Sequence, residues 1–311
     1  MSKVGNQAAI KPQRLTRWRN DWQLWVLLAP ALVLLFVFCY LPMYGIQIAF
    51  RDYRAAFGIL GSDWVGFKHF RDFFGTYYAT RLITNTFLLN IFGLLWSFPV
   101  PIILAILLNQ VEHQLFKRFI QTTIYVPHFI STVVMVGMLY LFLSPTSGIF
   151  NKFIEMAGGT PIYFMAEAGW FRTLFIGADI WQHAGWNTIL YIAVLTGIDP
   201  ELYEAATVDG ATKTQKIWHI DIPHLIPIAI MMLILNCGSL LVSNTDKALL
   251  MKTASNAAKS DIIGVYVYEM GLGRGQFSYT SAIGLFTNVI NFVTIMMVNS
   301  IARKVGETSL F

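Results

Sequence analysis

Hydrophobic residues gather in long stretches separated by shorter polar segments. Each stretch approaches or exceeds the roughly 20 apolar residues that a helix needs to cross a bilayer core. Internal Pro, Gly and amide residues are compatible with spanning helices, because neighbouring helices can satisfy the freed backbone groups. The pattern predicts an all-α polytopic membrane protein with about six transmembrane helices and a helical loop at the cytoplasmic side. The predicted spans cover residues 24–50, 85–108, 118–143, 171–198, 224–243 and 279–302.

The composition supports a membrane protein. Hydrophobic residues make up 56% of the 311 and charged residues only 13%, against about a quarter in soluble proteins. The mean hydropathy of +0.56 excludes intrinsic disorder as well. The net charge of +5 comes from basic residues scattered over the termini and loops, which favours anionic lipid over nucleic acid as the partner. The two cysteines, Cys39 and Cys237, suggest neither a disulfide framework nor a metal site.

Charge flanking the spans predicts their orientation, because Lys and Arg are held on the cytoplasmic side. The expected division is a cytoplasmic segment 1–22, a six-span transmembrane domain 23–303 and a cytoplasmic tail 304–311. The first outer loop is also basic and argues against this orientation, which therefore depends on the first helix dominating. The N-terminal cations are Lys3, Lys11, Arg14, Arg17 and Arg19, and those of the first outer loop are Arg51, Arg54, Lys68, Arg71 and Arg81.

The loop 199–223, between the fourth and fifth spans, has the capping pattern of two short helices. Asp199 before Pro200 is a typical N-cap followed by proline at the first helical position. Gly210 can adopt the left-handed conformation that ends a helix. Pro223 is expected to close the second helix and begin the next span. Capping signals alone would be typical of a solvated connector.

The spacing within this loop carries a resemblance. Glu204-Ala205-Ala206 is followed after three residues by Gly210 and after nine more by Ile220, before the pair Ile222-Pro223. This resembles the EAA loop of binding-protein-dependent ABC importer permeases of the carbohydrate, maltose-type superfamily, with Ile222 where leucine is usual. The stretch 261–272 is similar to the branch for oligosaccharide and polysaccharide uptake. The resemblance extends to Leu28-Ala29-Pro30, Asn85-Thr86, Tyr125-Val126-Pro127 and the terminal 306–311.

The resemblance implies a transport subunit, not an enzyme, in the cytoplasmic (inner) membrane of a bacterium. Its expected partners are a second permease, usually a different chain, two cytoplasmic ATPase subunits, an external solute-binding protein and a sugar substrate. No Gly-x-x-x-x-Gly-Lys-Ser/Thr motif occurs, so ATP and Mg are expected on the ATPase and no cofactor in this chain. The residues implied in ATPase coupling are Glu204, Ala205, Ala206, Gly210, Ile220 and Pro223.

Polar and aromatic side chains in spans four to six suggest a substrate pathway. Aromatic faces, amides and hydroxyls are the groups that grip uncharged sugars. For any one of these residues, a structural bridge between helices carries more weight than contact with a substrate. The candidate residues are Trp181, Trp186, Asn187, Tyr191, Asn236, Ser239, Ser243, Asn288 and Asn291.

Three other functions are weighed against a sugar importer. An ion-coupled secondary transporter would usually show more spans and buried acids, and here only Asp179 is a candidate. An intramembrane enzyme is disfavoured because no His-Glu-x-x-His, Gly-x-Ser-x-Gly or Cys-x-x-Cys occurs, and no metal site is expected. An ABC importer for a peptide or an amino acid is the nearest alternative. The sequence leaves open which sugar is carried and whether the permease pairs with itself.

Overall fold

A computed structural model describes residues 22–304 of the chain. The predicted tail 304–311 and cytoplasmic segment 1–22 lie, apart from one residue each, outside this range. The regular structure within it is helical, and its only β interactions are two isolated bridges, Arg51 with Trp64 and Arg54 with Gly58. The all-α fold class is therefore confirmed. The chain divides into two compact units, Met1–Gly66 and Phe67–Phe311.

The described part of the first unit is one long apolar helix and a short loop. Helix α1, Trp22–Leu35, continues through a π-helical turn, Phe36–Tyr40, and a 3-10 segment, Leu41–Phe50. The continuous 29 residues match the predicted span 24–50 and have a mean hydropathy of 2.6. In the loop that follows, Arg51 Nη1 donates to Ser62 O at 2.8 Å, which fixes the turn against the helix end.

The second unit is a helical bundle whose longer helices are joined by segments with short helices of their own. The helices are α2 Lys68–Gly75, α3 Tyr77–Ser97, α4 Pro99–Asn109, α5 Gln114–Tyr125, α6 Thr132–Phe142, α7 Ile149–Met156, α8 Ala168–Thr196, α9 Pro200–Val208, α10 Lys213–Lys216, α11 Ile222–Cys237, α12 Thr245–Met251, α13 Ala257–Ser260, α14 Ile263–Tyr268 and α15 Phe277–Lys304.

Four helices in the described range are long and apolar enough to cross a membrane, or five if one bent pair counts as a span. Helix α8 is not among them although it has 29 residues, because Arg172, Asp179 and Gln182 lower its hydropathy. The six-span count remains a prediction. The second span begins at Tyr77, well before the predicted 85, because the earlier turns bury Ala79 and Leu82 in the core.

The third predicted span, 118–143, is not a straight helix. Its two halves, Gln114–Phe129 and Thr132–Phe142, meet at an angle of 100°. Pro127 has no N–H to give to a continuing helix. The break is stabilised from both sides: Ser131 caps α6 by accepting from the Val134 N–H, and buried Gln182 of α8 donates to Ile130 O at 2.6 Å. The kink is therefore a fixed feature of the fold.

The fifth predicted span, 224–243, ends early. Helix α11 stops at Cys237, and the chain runs without regular helix until Thr245. Gly238 is the residue at the end of α11, and the Asn244 side chain, which accepts from the Lys247 N–H at 3.0 Å, caps the start of α12.

Two buried clusters hold the bundle together around α8. One joins α3, α6, the first half of α8 and α12 through residues such as Leu89, Phe171 and Met251. The other joins α4, the second half of α8 and α11 through Tyr191, Leu195 and their neighbours. Helix α8 comes close to α5 at Gly185, where an added Cβ would lie 2.0 Å from Ile124 O, so any larger side chain would push the two helices apart.

Candidate functional site

The predicted coupling loop begins with helix α9, whose start is capped as expected. Asp199 accepts from the Glu201 N–H at 3.0 Å, and Pro200 occupies the first helical position. Glu204 lies in the second turn of this helix. Its side chain is exposed and has no hydrogen-bond or ion-pair partner within residues 22–304.

The joint between the two short helices depends on Gly210. Its φ is +76°, a conformation that costs a residue with a Cβ about 1–2 kcal/mol. The Gly210 N–H donates to Thr207 O and the Ala211 N–H to Ala206 O, the double closure of a Schellman motif. Thr212 then begins α10 with a capping box to Gln215. The predicted two-helix loop with glycine between its parts is confirmed.

Pro223 does not close the second helix, contrary to the sequence prediction. Helix α10 runs through a π turn, Ile217–Asp221, directly into α11, so that 213–237 is one continuous helix. Within the turn the Ile222 N–H donates to Ile217 O, five residues back. The wider turn lets the helix continue past a proline, as expected of a π bulge. Ile220, the remaining predicted coupling residue, is buried in this turn.

A buried carboxylate connects the loop to the bundle. The Asp221 side chain is fully buried and accepts from Tyr203 Oη at 2.5 Å and from Gln110 Nε2 at 2.9 Å. Burial, together with the hydrogen bond to Asp221, raises the pKa of Tyr203 to about 12, so the phenol remains a donor at every usable pH. Asp221 thus ties α9 and the end of α4 to the start of α11. Sequence analysis missed it, although an acid between Ile220 and Ile222 is the available signal.

An exposed ion pair adds a second link at this end of the bundle. Lys213 Nζ lies 3.0 Å from Glu112 Oε1, and the hydrogen bond from Lys213 lowers the pKa of Glu112. Both side chains are exposed, so the pair contributes little to stability.

A cavity of about 750 Å³ lies within the second unit, between α3 and α4, the middle of α8, and α11 with the segment that follows it. Six of the predicted pathway residues line it: Trp186, Asn187, Tyr191, Asn236, Ser239 and Ser243. Asn187 is exposed and makes no hydrogen bond to any described residue. Polar residues that the prediction did not include also line it, namely Asn90, Ser97, Asp179 and Asn244.

Three predicted pathway residues, Trp181, Asn288 and Asn291, lie outside this cavity. Asn291 is buried and accepts from the Leu241 N–H at 3.0 Å. Asn288 and Trp181 are exposed on α15 and α8. Their part in a pathway stays a prediction.

The non-helical segment 238–244 forms one wall of the cavity. Asn90 Nδ2 donates to Leu240 O at 2.9 Å, and Ser243 Oγ donates to Asn90 Oδ1 at 3.0 Å. With Asn291 on the Leu241 N–H, two amides from α3 and α15 satisfy backbone groups that helix α11 leaves free. Irregular backbone at membrane depth is tolerated where it is held in this way beside a cavity.

A family comparison shows to which protein family the chain belongs. Residues 97–307, which include the wall segment 238–244 and the whole loop 199–223, match the model of the binding-protein-dependent transport system inner membrane component. The chain belongs to this family. It is an integral inner-membrane permease subunit of an ABC transport system that depends on a binding protein, and it is not an enzyme.

Individual relatives agree with the family match. The permease is 42% identical over 288 residues to the polygalacturonan/rhamnogalacturonan transport system permease protein YteP of Bacillus subtilis (strain 168), covering 93% of this chain and 90% of YteP. It is also 42% identical over 293 residues to protein LplB of the same strain, covering 94% and 92% of the two chains.

A solved structure extends the agreement to three dimensions. The permease is similar, with a TM-score of 0.87 and 33% identity, to a chain in the crystal structure of a bacterial alginate ABC transporter in complex with an alginate pentasaccharide-bound periplasmic protein. The match covers 96% of this chain and 100% of that chain.

The Asp221 joint leads to a stability prediction. Asp221→Ala should lower the free energy of unfolding by about 1–3 kcal/mol, because Tyr203 and Gln110 lose their acceptor in a buried place. Thermal unfolding of the purified permease in detergent measures the change. Asp209→Ala, which removes an exposed carboxylate at the end of α9, is the matched control. If the melting temperature of Asp221→Ala were no lower than that of the control, the stabilising role of Asp221 would be contradicted.

Proposed function

We propose that the permease forms half of the pathway of an ATP-driven importer for an oligosaccharide or polysaccharide fragment, which an external binding protein delivers. The relatives named for polygalacturonan/rhamnogalacturonan and the alginate transporter support this substrate class. The observation in the permease itself that carries the proposal is the cavity of about 750 Å³ lined by amides, hydroxyls and the rings of Trp186 and Tyr191. These groups hydrogen-bond and stack with sugars.

We further propose that the loop 199–223 docks on a cytoplasmic ATPase subunit, which binds ATP and Mg. Exposed Glu204 and Ala205 lie side by side on α9 with no described residue as hydrogen-bond partner for the carboxylate. A free carboxylate beside a small side chain can accept charge-assisted hydrogen bonds within a protein groove. Behind it, half-buried Tyr203 and Ala206 pack on the bundle, so a push on α9 would reach α8 and α11 directly.

The complete assembly is expected to contain a second permease, usually a different chain, and two ATPase subunits. The cavity of this chain is then one side of a shared pathway. We propose that the N-terminus and the loop 199–223 lie on the cytoplasmic side.

The coupling role predicts that ATP hydrolysis no longer responds to substrate when the loop is altered. Glu204→Ala and Gly210→Pro should leave the permease inserted but abolish substrate-stimulated ATPase activity and uptake, because one removes the docking carboxylate and the other the backbone joint. ATPase activity and uptake are measured in proteoliposomes containing the full complex. Glu201→Ala removes another carboxylate from the same helix and serves as the control. If both test variants kept full coupling, docking through this loop would be wrong.

The orientation predicts which positions are reached from outside the cell. After Cys39 and Cys237 are changed to serine, an impermeant thiol reagent should label Glu155→Cys and Ser255→Cys but not Thr212→Cys. All three positions are exposed in the permease. Labelling of Thr212→Cys from outside would invert the orientation and remove the ATPase contact.

The pathway predicts a change in affinity at the cavity. Asn236→Ala should raise the substrate concentration for half-maximal uptake by roughly ten- to a hundredfold, since leaving a buried polar group unpaired costs about 1–3 kcal/mol. ATP-driven closure should survive. Asn288→Ala is the comparison, because this amide lies outside the cavity; an equal loss there would bring α15 into the pathway. A lower melting temperature with unchanged concentration dependence would show that Asn236 is structural.

A further inference from the structure

A buried cation lies behind the cavity wall. Lys247 of α12 is completely inaccessible to solvent. Its Nζ lies 2.7 Å from Asp179 Oδ1 and 3.2 Å from Phe175 O, and 4.0 Å from the centre of the Phe175 ring. These three groups enclose the ammonium, which therefore cannot be reached by a molecule in the cavity.

Asp179, the counterion of Lys247, lies on the cavity side. Asp179 lines the cavity, and its side chain is 38% exposed. One oxygen, Oδ1, is used by Lys247 and lies 3.5 Å from His183 Nδ1. The other oxygen, Oδ2, has no hydrogen-bond partner among the described residues. A role limited to neutralising Lys247 explains the first oxygen but not the exposure of the second.

The Asp179–Lys247 pair presents a negative charge at the cavity wall. Among the described lining residues, Asp179 is the only acidic or basic side chain. The positive member is sealed inside the protein and the negative member is presented to the cavity. An ionised carboxylate can only accept hydrogen bonds, so the group that meets Oδ2 must be a donor.

Sugar hydroxyls are such donors, and a hydrogen bond from a hydroxyl to a carboxylate is strengthened by the charge. The carboxylate of an acidic sugar is not a donor. At the same position it would place two like charges close together, which disfavours binding. An acidic chain would have to turn its carboxyl groups away from α8.

We propose that Asp179, positioned by buried Lys247, is the hydroxyl acceptor of the sugar pathway and that this part of the cavity excludes the carboxylate of an acidic sugar. The inference rests on the proposed function, since it specifies which face of a saccharide the cavity takes.

A cysteine reporter can measure occupancy of the cavity. Gly93 lines it, and a Cβ added there meets no atom within 4 Å. Gly93→Cys, with Cys39 and Cys237 changed to serine, is reacted with an uncharged maleimide in the complete complex without its binding protein, so that the pathway alone selects. The probes are trigalacturonate and its fully methyl-esterified form, which have the same hydroxyls but differ in charge.

Before Asp179 is changed, the ester should half-protect the cysteine at a roughly tenfold lower concentration than the acid, a difference of about 1.4 kcal/mol. Equal protection, or stronger protection by the acid, overturns the inference and leaves the proposed function standing. Protection by neither probe also overturns the inference, whereas the proposed function is tested separately by uptake.

Asp179→Asn should weaken protection by the ester. The ester and the acid should then half-protect the cysteine at similar concentrations. The variant leaves the buried Lys247 charge without a counterion, so its melting temperature should also fall. The double variant Asp179→Asn/Lys247→Met should recover the melting temperature while the preference for the ester stays lost. Asp246→Asn, an exposed carboxylate on the same short helix as Lys247, should change neither. A double variant that recovers both stability and preference would show that the pair is only structural.

Discussion

Lipid offers no hydrogen bonds, so every backbone group within the membrane must find its partner inside the protein. This constraint explains the position of the buried amides. The chain leaves helical geometry after Pro127 and again over 238–244, and each break is completed by side chains from other helices: Gln182 at the first, Asn90 and Asn291 at the second. The second break gives the cavity its irregular wall, and Asn90 and Asn291 hold that wall in place.

The cavity and the coupling loop are connected by the same two helices. Helix α11 begins at the π turn that carries Asp221 and ends at the wall segment 238–244. Helix α8 contributes Tyr191 both to the cavity lining and to the buried cluster that contains Ile220. A displacement of α9 therefore acts on elements that line the cavity without passing through a flexible link, which is the geometry that domain-level coupling requires.

How much of this could be predicted depended on the range of the interaction. The Asp199 cap and the Gly210 joint were predicted correctly because their partners lie within a few residues. The continuation of the helix past Pro223 was not predicted, because a π turn accommodates a residue that has no N–H. The break at Ile130 needs Gln182, which is 52 residues away. The Asn291 bond to Leu241 crosses 50 residues, so the sequence could not distinguish it from a substrate ligand such as the one expected at Asn236.

Counting the unused acceptors and donors separates structural polar groups from those available to a substrate. Asp221 is buried and both of its oxygens are used, by Tyr203 and Gln110. Asp179 uses one oxygen on Lys247 and turns the other towards the cavity. Because a buried polar group without a partner is costly, an unused group persists where water or a ligand can reach it. The residues that remain unsatisfied at the cavity wall are therefore those with which a passing saccharide can exchange its hydration.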